Sequence, residues 1–257
     1  MKANGRLYSS KIIKAGALLT DSKAFLLAYD EHHSLAENIN RIQRENPFGK
    51  ASRSRVADIL PTFRQRFCDD EKLARGLRVL ARSRVATDVL DRVLYFHAAR
   101  ADLLIHDFVC DFVFEKQRAG AFQVPTDEAQ RFVATIARRA ATHWGSDTLR
   151  RVTQGLLATI RDFRILEGAV AKRIAPIYLP VEAFAYVAFA LHAHGASGAR
   201  LAHHSDWRLF LLSPDAVEQH FLEAHQRRLL SFHAAGKIVR VEFPTSTAEE
   251  AAHALVR

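Results

Sequence analysis

The sequence predicts a mainly α-helical protein: a helical bundle with a helix-turn-helix or winged-helix-like segment and a small β element near the C terminus. Three observations lead to this prediction. Apolar residues recur at intervals of three and four along most of the 257 residues. Capping residues and breakers divide the chain into segments of helical length. Alternating apolar residues, which favour strands, occur only in short stretches of the second half.

The first half of the chain divides into helices at clear breakers. Asn-Pro and Gly in "ENPFGK" separate the second predicted helix from the third, and Pro61 is expected to kink the third. The last segment is long enough to be split and apolar enough to form the central core. The predicted helices cover residues 22–29, 35–44, 53–67, 70–81 and 86–118.

The second half of the sequence predicts a helix-turn-helix followed by short strands. A helix over residues 126–142, the turn "HWGS" and a helix over residues 147–161 precede "FRILEGAVAKRIAPIYLP", where one or two strands are expected. This is the order of a winged-helix DNA reader. Consecutive helices are also common in proteins that do not bind DNA, so both interpretations stay open.

The C-terminal end carries the clearest boundary signals. Ser213-Pro214 predicts a helix start, and Gly236 is expected to end that helix. The segment "KIVRVEF" alternates as a short strand. Thr247 and Glu250 predict a capping box for a last helix. The role of this end of the chain stays open.

Gly120 and Pro125 mark a boundary near the middle of the chain. A chain of this length has room for one large domain or two smaller ones. We predict an N-terminal helical domain over residues 1–124, with the basic helix, and a C-terminal helical domain over residues 125–257, with the winged-helix-like segment.

The sequence favours a cytoplasmic protein with no membrane partner. The most apolar run covers residues 181–196, but its 16 residues fall short of the roughly 20 that span a bilayer. Glu182 adds to the cost of insertion, so we expect a buried core helix. Cys68 and Cys110 are too few for a disulfide scaffold or a zinc site and fit a reducing compartment. The N terminus has no signal-peptide pattern.

The formal net charge of +9 is concentrated in two stretches. Residues 41–84 hold 12 Lys and Arg against 5 Asp and Glu, and residues 138–173 hold 8 against 3. Concentrated positive charge is typical of proteins that bind polyanions. A single basic run is more often a solvated helix face. Because there are two basic runs, both at helix starts, we favour binding to a polyanion.

The basic helix begins with arginines where acids are expected. In "GKASRSRV", Ser52 predicts the N-cap, so Arg53 and Arg55 fall in a first turn whose partial positive charge favours Asp or Glu. The free backbone N–H groups of a first turn form an anion site, and arginines there would hold a bound phosphate. The predicted DNA contacts of this segment are Lys50, Ser52, Arg53, Ser54, Arg55, Arg64 and Arg66.

A similar arrangement is predicted at "SDTLRRVTQG". Thr148, Arg150 and Arg151 are expected in the first turn of the second helix of the helix-turn-helix. Lys172 and Arg173 would lie on or near the wing. These five residues complete the predicted DNA contacts.

No catalytic signature is recognisable. "GKAS" lacks the glycine spacing of a phosphate-binding loop, and no tyrosine follows "HQRR", as the His-x-x-Arg motif of a tyrosine recombinase requires. His106-Asp107 lacks the partner histidines of a phosphohydrolase metal site, so a histidine at the edge of the core is the better interpretation. "AHHSDW" is only a weak indication of a metal. We expect no enzyme activity, no cofactor and no metal.

Four segments follow one another in the order "IQRENPFGKASRSRVADILPTFRQRF", "DFVCDFVFEK", "SDTLRRVTQGLLATIRDFRILEG" and "IAPIYLPVEAFAYVAFAL". This order resembles the BrxA family of bacterial phage-exclusion (BREX) systems, over roughly Leu7 to Ala196. The resemblance implies a small, helical, non-catalytic cytoplasmic protein that binds double-stranded DNA. It also implies action beside the methyltransferase, ATPase and other components of the defence system. No functional residue carries over by motif.

Two other functions stay open. In the first, the protein is a scaffold whose basic faces dock acidic partner proteins, and DNA binding is incidental. In the second, it binds RNA, although the sequence lacks the aromatic-rich sheet of common single-strand readers.

Overall fold

The computed structural model describes residues 8–236 and 238–256. Most of these residues are helical and the described strands form two small two-stranded sheets, so the predicted mainly α fold is confirmed. The chain forms two compact units, each assembled from separate stretches of sequence. Unit 1 consists of the described residues up to Leu18, Ala98–Tyr178 and Arg208–Leu211. Unit 2 consists of Leu19–His97, Leu179–Trp207 and the described residues from Leu212 onward.

The boundary predicted between residues 124 and 125 falls inside unit 1. The units and the predicted domains therefore divide the chain differently. The chain leaves each unit and later returns to it, and a local boundary signal in the sequence cannot indicate such a return.

Unit 2 begins with four helices, and capping side chains explain where the last three of these start. These are α1 (Leu19–Ala28), α2 (Leu35–Glu45), α3 (Arg53–Phe67) and α4 (Glu71–Arg82). Ser34 forms a capping box with Glu37 at the start of α2, and Ser52 and Asp70 cap α3 and α4. Helix α3 continues through Pro61, whose exposed position places its ring on the solvent side.

The predicted helix over residues 86–118 is divided into shorter elements. They are α5 (Thr87–Ala101), α6 (Leu103–Phe108), a π-helical turn (Val109–Val113) and α7 (Phe114–Arg118). Asp102 causes the first division, because its carboxylate accepts the Leu104 N–H at 3.0 Å and caps α6. Helix α5 starts in unit 2 and ends in unit 1.

Unit 1 continues with α8 (Thr126–Arg139) and α9 (Ser146–Asp162). An N-terminal 3-10 turn, Ser10–Ile13, packs against α9. This approach is close because Gly155 of α9 has no side chain; a Cβ there would lie 3.2 Å from the carbonyl oxygen of Ile12. The strands β1 (Leu166–Glu167) and β2 (Arg173–Ile174) follow and pair antiparallel.

The remaining chain completes unit 2, apart from the short stretch that belongs to unit 1. Its elements are α10 (Val181–Ala193), α11 (Gly198–Ala202), a 3-10 helix (Ser205–Phe210), α12 (Pro214–Gln226), β3 (Ser231–Ala235), β4 (Ile238–Glu242) and α13 (Ala248–Leu255). Helix α10 is almost entirely buried, as predicted. Among the described residues, no helix has both the length and the apolar character needed to cross a bilayer.

One C-terminal prediction is wrong. The helix that starts at Ser213-Pro214 ends at Gln226 and does not reach Gly236, because residues 231–235 form β3 and pair with β4. Phe232 of β3 is buried and stacks on Phe221 of α12 with ring centroids 5.1 Å apart. The capping box of Thr247 and Glu250 starts α13, as predicted.

Candidate nucleic-acid interface

The predicted helix-turn-helix segment is followed by a hairpin and preceded by a third short strand segment. Gln123 bridges Arg173 of β2, and β2 pairs with β1. The order along the chain is α7, Gln123, α8, α9, β1 and β2. This order of helix, strand, helix, helix, strand and strand is compatible with the predicted winged helix.

Helix α9 separates an apolar face from a basic one. Its buried side chains pack in unit 1, where α9 contacts α6 and α8. The opposite, exposed face carries Arg150, Arg151, Gln154 and Arg161. Among the described residues, no side chain forms an ion pair or hydrogen bond with the Arg151 guanidinium. This face therefore offers solvent-accessible cations along three turns of one helix.

The prediction that Arg150 and Arg151 occupy a first turn is wrong. Gly145 is the N-cap and Ser146 is the first helical residue, so the arginines lie in the second turn. The acidic residue of the first turn is Asp147, as the helix dipole favours. Asp147 accepts a hydrogen bond from Arg150 Nη2 at 3.0 Å, and both side chains are more than half exposed. Thr148 is half-buried in the first turn.

The hairpin β1–β2 carries the predicted wing residues. Lys172 Nζ donates to the Ala169 carbonyl, and Arg173 Nε lies 2.6 Å from Glu167 Oε1. Gly168 starts the turn with φ of 90°, where a Cβ would overlap the carbonyl oxygen of Ala171. Both predicted cations thus lie on the hairpin but are bonded within it.

The start of α3 agrees with the prediction, except at Lys50. Ser52 is the N-cap and its Oγ accepts the Arg55 N–H at 3.2 Å, so Arg53, Ser54 and Arg55 form the first turn. Lys50 Nζ, in contrast, pairs with Asp21 Oδ1 at 2.9 Å. Asp21 is buried in α1, so Lys50 fixes the turn before α3 to the core.

The predicted basic track along α3 is interrupted. Arg64 is exposed, but Arg66 has only 5% of its surface exposed. Arg66 follows Phe63 by three residues, and this spacing places both on the buried face of the helix. Arg66, predicted as a DNA contact, is therefore buried and lies outside the candidate interface.

A pocket with a volume of about 630 Å³ runs along α2 and reaches the start of α3. We call it the α2–α3 pocket. Its lining consists of His33, Glu37, Asn40, Arg41, Gln43, Arg44 and Arg53. The sequence prediction missed Arg44, because a basic residue in a last helical turn is explained by the dipole alone.

The His/Asp cluster in "AHHSDW" does not form a metal site in the described part of the chain. Asp206 is buried, and its backbone N–H donates to His204 Nδ1 at 3.1 Å. The described residues contain no group of three or more His, Cys, Asp or Glu side chains suited to a metal. His203 is exposed.

His106 and Asp107 take part in a bonded cluster that spacing did not predict. His106 Nδ1 lies 2.9 Å from Asp107 Oδ1, and Tyr8 Oη donates to Asp107 Oδ2 at 2.6 Å. Burial acts to raise the pKa of Asp107, but these hydrogen bonds lower it below its usual value. Cys110 Sγ lies 3.9 Å from His106 Nε2 and is only 3% exposed, so a substrate has no access to the sulfur.

Comparison with known proteins identifies a family and finds solved structures of similar fold. The sequence model of the BrxA family matches residues 6–190. A crystal structure of an uncharacterized protein from Magnetospirillum magneticum has a TM-score of 0.63 and 15% sequence identity. The similarity covers 80% of this chain and 100% of that chain, and it concerns the fold alone. No curated protein matches the chain.

Proposed function

The chain belongs to the BrxA family and is therefore a BREX phage-defence protein, and from this premise we propose that it binds double-stranded DNA and catalyses no reaction of its own. The exposed basic face of α9 is the single observation that carries the proposal. Arg150, Arg151, Gln154 and Arg161 lie on this face of α9, the second helix of the predicted helix-turn-helix. That helix is the one which enters the major groove in proteins of this type.

The charges on α9 suit phosphate contacts. The Arg150–Asp147 pair is an exposed surface pair, which contributes little stability, so Arg150 exchanges Asp147 for a phosphate at low cost. Arg151 has no such pair to break. Arg161 pairs with the neighbouring Asp162 at 2.7 Å, again at an exposed site. These arginines supply the salt-dependent part of the affinity.

Gln154 is the candidate for base recognition. It lies one turn beyond Arg150 on the exposed face of α9. A glutamine amide can donate to and accept from adenine in the major groove. Arginines in the preceding turn would fix the helix on the backbone, so that the amide reaches the base edges.

The hairpin β1–β2 acts as the wing in this proposal. Lys172 and Arg173 are bonded within the hairpin, but these bonds lie at the surface and can be exchanged for phosphates. Gly168 fixes the turn of the hairpin, and Val170 at the turn is 94% exposed.

A cytoplasmic location and contacts with other BREX components belong to the same proposal. Such contacts favour a second candidate function, a scaffold for which DNA binding is incidental. Phe122, which is 54% exposed beside the hairpin, favours it together with Val170. Large exposed apolar side chains are typical of protein contacts when they form a patch.

Binding of duplex DNA, single-stranded DNA and RNA of one sequence, compared by fluorescence anisotropy, tests the proposal. We expect the duplex to bind most tightly, and its affinity to fall linearly on a logarithmic plot against salt. A footprint on the duplex separates DNA recognition from a scaffold function. Equal affinity for all three ligands, or no footprint, contradicts the proposal, and hydrolysis of any of them contradicts its non-catalytic part.

A further inference from the structure

We propose that the α2–α3 pocket binds a small phosphate ester of nucleotide size. The pocket belongs to unit 2, whereas α9 and its hairpin belong to unit 1. This inference therefore goes beyond the proposed DNA binding and does not depend on it.

Two guanidinium groups from different helices supply the anion-binding chemistry. Arg44 lies in the last turn of α2 and Arg53 in the first turn of α3, and both line the pocket. Both are exposed, and no side chain of the described residues bonds to either guanidinium. Arginine presents paired donors that match the oxygens of a phosphate. Two such groups beside one concave site can hold one phosphate between them.

The third arginine of the pocket is already bonded. The Nη2 of Arg41 donates to the Ala28 carbonyl and to Asn38 Oδ1, and its Nη1 donates to Glu45. Arg41 thus forms part of the wall and adds positive charge. Arg41 Nε has no partner but is buried, so the exposed guanidinium donors of the pocket are those of Arg44 and Arg53.

Bonds within the turn between α2 and α3 fix the backbone that carries these two arginines. Asn46 Nδ2 donates to the Lys50 carbonyl at 2.8 Å, and Lys50 N–H donates to Asn46 Oδ1 at 3.1 Å. Lys50 also pairs with the buried Asp21. Because this backbone is fixed before a ligand arrives, the loop itself adds little to the entropy cost of binding.

The other lining residues indicate a small ligand in preference to a DNA backbone. Asn40 and Gln43 present amides that can bond to a sugar or a base. The carboxylate of Glu37 is held in the capping box by Ser34, which lowers its pKa and keeps it charged. A negative charge in the wall repels a polyphosphate chain but tolerates one phosphate next to the arginines. A volume of about 630 Å³ falls in the range of small-molecule sites.

Calorimetric titration with AMP, adenosine and inorganic phosphate tests the site. We expect AMP and phosphate to bind saturably, and adenosine to bind at least about tenfold more weakly than AMP. Arg44→Gln and Arg53→Gln should each weaken AMP binding by at least about tenfold. Arg84→Gln removes the same charge from an exposed position of unit 2 outside the pocket and should bind as the wild type. Thermal melting by circular dichroism checks that every variant is folded.

Three outcomes overturn the proposal. In the first, neither AMP nor phosphate binds to the wild-type protein. In the second, the pocket variants bind AMP as tightly as the wild type. In the third, the pocket variants lose affinity for a 20-base-pair duplex while AMP does not bind, which assigns the arginines to the DNA interface. The variant Arg150→Gln with Arg151→Gln should retain AMP binding, so this site and the proposed DNA interface can fail separately.

Discussion

Neutralising Arg150 and Arg151 together is expected to reduce the salt dependence of duplex binding while leaving the fold intact. Both side chains lie on the exposed face of α9. If each contacts one phosphate, their replacement by glutamine lowers the slope of log affinity against log salt by about 1.8, at 0.9 for each contact. Between 50 and 200 mM salt, this difference in slope lowers the ratio of wild-type affinity to variant affinity by roughly tenfold.

The expected cost in stability is small. The replacement removes the exposed Arg150–Asp147 pair, which is worth about 0.3–0.5 kcal/mol in a helix. Glutamine and arginine have similar helix propensities. The free energy of unfolding should therefore change by less than about 1 kcal/mol, and a urea titration measures it.

Anisotropy titrations at four salt concentrations provide the assay. A control variant, Arg75→Gln with Arg240→Gln, removes two exposed arginines outside α9, each of which is paired with a nearby acid, Glu71 or Glu242. Phosphate contacts by Arg150 and Arg151 are excluded if the variant keeps the wild-type slope, or if the control lowers the slope equally. In the latter case the effect comes from net charge and not from α9.

Three further results are expected. Replacing Arg78 with methionine should lower the free energy of unfolding, measured in urea, by about 1–3 kcal/mol, because the Arg78 side chain is 2% exposed and bonds to two acids. The control is Arg75→Met at an exposed position, and an equal loss of stability in both variants would contradict this role of Arg78. Replacing Gly168 with alanine should speed amide exchange in residues 166–174 and weaken DNA binding, because the added Cβ meets backbone; unchanged exchange would show that the turn adapts. Burial raises the pKa of Cys68 to about 12, so iodoacetamide at pH 8 should alkylate it far more slowly in the folded protein than in urea, and equal rates would contradict the burial.

The sequence predicts most of what depends on neighbouring residues. Ser52 and the pair Thr247–Glu250 start helices as expected, because a cap is formed within one turn. The strand β3 was missed, since "SFHAA" has no alternating pattern and becomes a strand by pairing with β4. Its fit depends on Phe232 packing against α12, a contact that no local pattern contains.

Among the predicted DNA contacts, too, the cap at Ser52 was predicted correctly from neighbouring residues, whereas the surroundings of Arg66 and Lys50, which tertiary packing sets, were not. Arg53 lies in the first turn that Ser52 defines, whereas Arg66 is buried by the packing of the helix that contains it. Lys50 was predicted as a phosphate contact, but it pairs with an acid of α1 far away in sequence. Charge counts identify basic stretches, and only the tertiary fold decides which cations remain accessible.

The packing of α13 on α4 has a consequence for the folding of the protein during its synthesis on the ribosome. Gly76 of α4 lies so close to α13 that a Cβ there would be 2.5 Å from the carbonyl oxygen of Ala248. During synthesis α4 emerges long before α13 exists, so the face of α4 that α13 covers stays open until translation of α13 is complete. Unit 2 therefore acquires its final packing only after release of this segment. A stalled ribosome holds a nascent chain with an exposed apolar surface, the kind of surface that chaperones bind.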